Sequence, residues 1–429
     1  TYSGIACTAG IASCVMNGAK ITNSNVDNTT ITSTKGANAT GILATTLSSD
    51  AVVENCSVTN SDITNLTTVD TNSGNATSSG LIGNSYGSNG AIINNCKVEK
   101  TNIIGNGAIM SGVMACGNTI NITNTIIKDV TLKDNSQENT SSDTMKSAGG
   151  ISGCIMNVNT ENVNVDGLDI TSHSRSVGGL YGIVCSINKL ENCNVNRLTI
   201  NNNNSTKNVR YGSVAGLIGD ITSDIKNPIK NNSVKNSTIT TSTDNVGGLF
   251  GTMYPTATID NCTVDNVKLE NKYSSESTHG LVGGLVGVNS NTININNSKV
   301  KNSSAKITGA LGDIKHVGGL IGITYGANIV DTDVDNTVIQ NNTPGNTGGF
   351  VGMTYYSAPT SNYDEVIKQI NVTNSNVKNN SNITGNGHVG GILGFGKLVT
   401  VSGKVTDTTV NGTNSSSEVG GVIGNSLST

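Results

Sequence analysis

The sequence predicts an all-β chain folded as a right-handed parallel β-helix, with about 12–13 coils of three short strands each. Three observations predict it. A glycine-rich block recurs about every 34 residues. A second block carries asparagine at a fixed place in each unit. Large side chains are too scarce for any thick core.

The scarcity comes first because it limits the alternatives. The 429 residues include 52 Gly but only 4 Pro, no Trp, and 3% aromatics. A long chain with so little bulk must bury a thin, repeated core. Charged residues make up 13% and the net charge is -4. Nucleic-acid binding needs a basic stripe that displaces phosphate counterions, and none is present. No run of 18 apolar residues occurs, so the segment holds no helical membrane span. The chain does not begin with a signal peptide, so any export signal or anchor is expected outside it.

The first block has the form G-apolar-apolar-G, as GGLFG at 247–251, GGLVG at 283–287 and GGLIG at 318–322. Degenerate copies begin at Ala9, Thr40 and Ser111. Its first apolar residue serves as an anchor: Ile11, Ile42, Leu81, Val113, Ile151, Leu180, Leu217, Leu249, Leu285, Leu320, Phe350, Ile392 and Val422. The twelve spacings run from 29 to 42. Two adjacent apolar residues in one strand should face opposite sides. The second of each pair is therefore expected outward, as a long apolar stripe that loops or another chain must cover.

The second block is clearest as IDNCTVDNVKL at 259–269. Ile259 and Cys262 are three apart yet both belong inside, so a one-residue corner must restore the phase. Asn is the non-Gly residue that best tolerates the left-handed conformation this needs. The corner slot is Asn in ten of twelve units, with Asp331 and Ser402 as exceptions. Stacking places Asn55, Asn95, Asn192 and Asn261 in one column, about 4.8 Å apart per coil, as an amide ladder. Asn266 marks a second corner; its slot is Asn, Asp or Gly in ten of twelve units. Each coil then has a Gly-rich strand, a strand reaching the Asn corner, and a Val-containing strand beyond it. The predicted spans in the Leu249 coil are 248–252, 257–260 and 262–265. Helical repeats fail, because Gly and Asn fall where helix interiors would be.

The link back to the next Gly block alternates between 10 residues and 16 to 19, so loops protrude on every second coil. The stretches 64–79, 133–147 and 201–213 are these loops. One β-helix domain spanning 1–429 is expected. Both ends read as interrupted coils, which suggests an excerpt of a longer solenoid or a subunit that stacks end to end.

These GGLVG and GGLIG blocks, each in a unit with an N-C-x-V strand, resemble the GLUG-motif repeats of bacterial surface and secreted proteins. The likeness covers nearly the whole chain. It implies a cell-surface passenger or stalk, often adhesive, sometimes attached to an enzyme domain elsewhere in the polypeptide. It brings no catalytic residues.

Little chemistry stands out. His173, His279, His316 and His388 form no metal-ligand spacing, although His316 and His388 share a slot two coils and about 10 Å apart. Cys56, Cys96, Cys193 and Cys262 exchange with Ser and Val in one inward slot, and Cys14, Cys116 and Cys154 share another. Most of the nine cysteines are expected reduced and buried, as fillers. Asp331, Asp333 and Asp335 alternate on one strand face and could bind a cation, but solvated or corner-capping roles fit better. No catalytic residue and no cofactor is expected.

Two aromatic features suggest binding. An insertion after Phe350 carries Tyr355, Tyr356, Pro359, Tyr363, Asp364 and Glu365. Tyr also recurs five residues after the anchor, at Tyr86, Tyr254, Tyr325 and Tyr355. Tyr325, Tyr355, Tyr356 and Tyr363 are the candidate binding residues, since tyrosine offers a stacking face and a hydroxyl. The functional expectation is a non-catalytic extracellular or cell-surface structural or adhesive segment. Its partners would be a host or neighbouring-cell surface, through a glycan or protein ligand, and copies of itself. The alternatives are a carbohydrate-active β-helix enzyme, which needs converging carboxylates, and an ice-binding solenoid, which needs a flat Thr array.

Overall fold

The computed structural model describes residues 7–427 except 17, 35–37, 48–49, 68–75, 86, 88–89, 107–108, 137–145, 204–211, 243–244, 273–279, 310–314 and 355–368. Among the described residues there is no helix, and strands account for most of the chain. The chain forms two compact units, Thr1–Asp220 and Ile221–Thr429. Each is a stretch of parallel β-helix.

In the first unit, Cys7–Ala9, Asn38–Thr40, Thr77–Ser79, Ile109–Ser111, Ser147–Gly149, Ser176–Gly178 and Ser213–Ala215 stack in parallel register. In the second, Asn245–Gly247, Leu281–Gly283, His316–Gly318, Thr347–Gly348, His388–Gly390 and Glu418–Gly420 do the same. The remaining strands form a wrapped second sheet. There the Val slot stacks as Val26, Val58, Val98, Ile127, Val165 and Val195 in the first unit. It stacks as Val264, Val300, Val334, Val377 and Val405 in the second. Down to Val377 these side chains are buried, so each coil adds one layer of apolar contact to the last.

Both corners lie where the asparagines predict. Asn55, Asn95, Asn192 and Asn261 have φ of 54°, 51°, 55° and 51°, and Asp331 has 49°. The second corner is left-handed in every coil, from Asn28 at 48° to Asp407 at 47°, with Lys100 and Arg197 adopting it too. Ser402 is the departure. The Ile392 coil is one residue short there, so Ser402 pairs with Thr373 and Gly403 with Ser375, and Asn374 bulges out between them. At one second corner a glycine has a particular use. A Cβ on Gly167 would sit 2.4 Å from Asp129 Oδ1 and 3.1 Å from the Arg197 guanidinium. Its absence lets Arg197 reach across a coil to Asp129 at 3.1 Å while holding Asp166 at 2.7 Å.

The Gly-rich block corrects the sequence reading. The segment expected as one strand over 248–252 is two, Asn245–Gly247 and Phe250–Met253, meeting at a bend on Gly248 and Leu249. The bend turns both apolar residues into the core. Leu249 and Phe250 are fully buried, as are Leu320 with Ile321 and Phe350 with Val351. The expected outward apolar stripe is therefore absent. The alternation rule fails because it holds only along an unbroken strand.

The bend needs glycine for close approach. A Cβ on Gly248 would lie 1.9 Å from the carbonyl oxygen of Gly284, the same slot one coil on. Gly284 has that relation to Gly319, Gly319 to Gly349, and Gly349 to Gly391, at 1.9 to 2.0 Å. This slot is Gly before all thirteen anchors. The slot before it is less strict, holding Ala9, Thr40, Ser79, Ser111 and Ala215.

The small slot after the Asn corner is more than filler. The corner turns the next N–H inward, and a hydroxyl one coil on receives it. Cys262 N–H donates to Ser298 Oγ (3.1 Å), Ser298 N–H to Thr332 Oγ1 (3.3 Å), and Thr332 N–H to Ser375 Oγ (3.1 Å). The second corner repeats the device, with Val267 N–H on Ser303 Oγ and Thr337 N–H on Ser381 Oγ. Replacing Ser298 by alanine leaves the Cys262 N–H buried without its acceptor. It should cost about 1–3 kcal/mol of unfolding free energy, read from a denaturant titration. No loss would mean the hydroxyl is incidental.

Candidate functional site: a corner cleft

A cleft of about 440 Å³ lies in the second unit, lined by Ser223–Pro228, Pro255–Thr258 and Asn291. Its origin is a difference in link length. From anchor to Asn corner there are fourteen residues in the Leu217 coil, ending at Asn231, but twelve in the Leu249 coil, ending at Asn261. The longer link, 223–228, stands out as a rim over the shorter one, which Pro255 turns sharply. Ser223, Asp224, Lys226, Asn227 and Pro228 are exposed, while Pro255 and Ala257 are buried.

The wall beneath is held rigidly. Asn289, fully buried, donates from Nδ2 to the carbonyls of Met253 (3.4 Å) and Pro255 (3.3 Å). Its Oδ1 accepts from Asn291 N–H (3.2 Å) and from Thr324 Oγ1 (3.5 Å). One side chain thus ties three successive coils at this corner. Tyr254, the residue before Pro255, is 38% exposed. Met253 pairs with Asn289, and Asn289 with Thr324. Tyr254, Ser290 and Tyr325 therefore follow one another on successive coils at this corner, and Tyr325 is half-buried.

Of the other predicted binding residues, Tyr355, Tyr356 and Tyr363 lie outside the described residues, as does Tyr86. Asn95 Nδ2 donates to Asn55 Oδ1 at 2.7 Å, Asn55 Nδ2 to Asn23 at 3.2 Å, and Asn261 Nδ2 to Asn231 at 2.8 Å. In the first unit, residues 54, 94, 123, 161 and 191 pair in register, which places the corner at Asn192 in the same column as Asn55 and Asn95. A further outward ladder, Asn294, Asn328 and Asn371, was not foreseen; its two links are 2.8 Å each.

The acidic run is spent on stacking. Asp331 accepts from Asn374 Nδ2, Asp335 from Asn379 Nδ2 (2.8 Å), and Asp333 from Lys378 Nζ (2.7 Å) and Asn376 Nδ2 (3.1 Å). The Lys378 ammonium and the Asn376 amide hold the Asp333 carboxyl below its usual range against the opposing effect of burial. Among the described residues, no group of three His, Cys, Asp or Glu is arranged to hold a metal.

Buried titratable groups serve as clamps. Asp134 shares its slot with Asn65, Asn202 and Asn341, whose amides reach the carbonyls of Thr77, Ser174 and Lys315 where loops return. Asp134 Oδ1 accepts from Ser136 N–H at 2.8 Å. His316 is buried and accepts the Asn346 N–H on Nδ1 at 3.0 Å. Burial, with a smaller push from His388, lowers its pKa from 6.5 to about 3. The unfolded chain protonates this histidine near pH 6.5 and the fold does not. The fold therefore has its full stability above about pH 6.5 and loses it as pH falls toward about 3. A His316→Gln variant should flatten the denaturant midpoint across that window; an unchanged slope would contradict the burial argument.

All nine cysteines are unbridged. Cys56, Cys96, Cys193 and Cys262 are buried, and burial pushes Cys96 and Cys262 up to about 11. The other shared slot corrects the expectation of burial: Cys14 is exposed, and Cys116 and Cys154 are half-buried. It lies two residues beyond the neighbour of the anchor, for Cys116 and Cys154 in the strands Met114–Thr123 and Ser152–Glu161.

Comparison with family models, with curated proteins and with solved structures returns no match.

Proposed function

We propose that this chain is a non-catalytic structural or adhesive β-helix segment that works outside the cell or on its surface. The observation that carries the reading is how the outward polar side chains are used. Asn–Asn ladders, Asp333 with Lys378, Asp265 with Lys301 at 3.2 Å, and Glu99 with Lys128 at 3.2 Å join each coil to the next. An enzyme of this architecture would converge such groups on one substrate position. Here they run as columns, coil over coil, along each unit, which suits a stalk or a display platform. Low charge and abundant Asn, Ser and Thr suit exposure to solvent along that length. The likeness of the repeat to GLUG-motif surface proteins points the same way. An ice-binding face needs uniform threonine, and the column Thr258, Asn294, Asn328, Asn371 mixes two residue types.

Two assays on the full chain test this. Beads coated with it should adhere to cells or to immobilised polysaccharide. Incubation with neutral and acidic polysaccharides should release no new reducing ends and no unsaturated sugars. Catalytic release of either product would overturn the reading and restore the enzyme alternative.

A further inference from the structure

We propose that the corner cleft of the second unit binds a neutral hexopyranose unit of a glycan; this deepens the adhesive reading and rests on it. Size is the first argument: about 440 Å³ lies in the range of small-ligand pockets and suits one or two sugar rings. Chemistry is the second. Ser223, Thr256, Thr258, Asn227 and Asn291 bring hydroxyl and amide groups, which both donate and accept, as sugar hydroxyls do. Asp224 and Lys226 cancel in charge, so the cleft favours neither an anion nor a cation. The exposed Pro228 supplies an apolar face for the C–H side of a ring, with the buried Pro255 in the wall behind it.

Backbone pairing removes one competitor, a peptide added as a strand. A peptide that binds by adding a strand needs an open sheet edge. Ala257–Asp260, which contributes Ala257 and Thr258 to the cleft, is paired on one side with Ile229–Lys230 and on the other with Val286–Asn296. Its ladder is complete, and recognition there falls to side chains. Preorganisation is the third argument. Asn289 fixes the Met253, Pro255 and Asn291 backbone before any ligand arrives, which lowers the ordering cost of binding.

Saturation-transfer NMR on the full chain tests the assignment. The probes are methyl α-D-mannopyranoside, methyl β-D-galactopyranoside and methyl β-D-glucopyranoside, with glucuronic acid and glucosamine as charged comparisons. At least one neutral glycoside should receive saturation, and more than either charged sugar. Thr256→Arg, on an exposed position inside the cleft, should weaken binding by about tenfold or more. Thr238→Arg, exposed on another strand, should leave it unchanged, and both variants should keep the far-ultraviolet dichroism of the parent. The assignment is overturned by no transfer to any neutral glycoside, by preference for a charged one, or by transfer that survives Thr256→Arg. Adhesion of coated beads alongside any of those results defeats the cleft and leaves the adhesive reading standing. Failure of adhesion as well defeats both.

Discussion

Replacing Gly319 by alanine should lower the unfolding free energy by about 3 kcal/mol, one of the two largest single-site effects expected in this chain. The added Cβ would meet the Gly349 carbonyl oxygen at 2.0 Å and Ile339 Cδ1 at 2.7 Å. A backbone oxygen in a hydrogen-bonded ladder cannot step aside as a side-chain tip can. The entropic gain from restricting the unfolded chain is under about 1 kcal/mol, so the clash decides the sign. Gly318→Ala is the informative partner. A Cβ there would lie 1.8 Å from the Ile321 carbonyl oxygen, but five other coils, including those of Ala9 and Ala215, carry a side chain in this slot, so the turn can open to take one; Ser79 there donates to the Ile82 carbonyl at 2.5 Å. A cost of about 1 kcal/mol is expected for it. Equal denaturant midpoints for the two variants would contradict this account of why the glycine pair is asymmetric.

Phe250→Ala should cost about 3–5 kcal/mol, because it empties a large, fully enclosed site. Here the sequence and the structure differ most sharply. An outward Phe250 in a continuous strand would lose only about 0.5 kcal/mol on truncation. The same titration therefore separates the bend from the straight strand.

Why the bend escaped the sequence reading is a matter of range. The corners at Asn261 and Asn266 are local events: a phase break between apolar positions, and a residue type suited to positive φ, both lie within a few residues. They were legible, and so were the period and the stacked valine column. The Gly248 requirement comes from Gly284, thirty-six residues away, and shows only when the coils are superposed. The hydroxyl relay through Ser298, Thr332 and Ser375 is hidden for the same reason, since Ser, Thr and Cys look interchangeable as small residues until the inward N–H is seen. The cleft was not legible either. It arises from a two-residue difference between adjacent links, a variation no larger than others along the chain. Tyr254 was visible as part of a stripe, but nothing local marked it as the neighbour of a concave site.

The measurement that tests the central claim most directly is a distance between spin labels along one column of the second unit. Thr263 pairs with Lys299, Lys299 with Asp333, Asp333 with Asn376, and Asn376 with Lys404. Labels at Thr263→Cys and Lys404→Cys, with the accessible native cysteines changed to serine, are four coils apart. Parallel stacking predicts a narrow double electron–electron resonance distribution centred at about 19 Å between backbones, broadened only by the label arms. A broad distribution, or a centre beyond about 40 Å, would contradict the stacked-coil account.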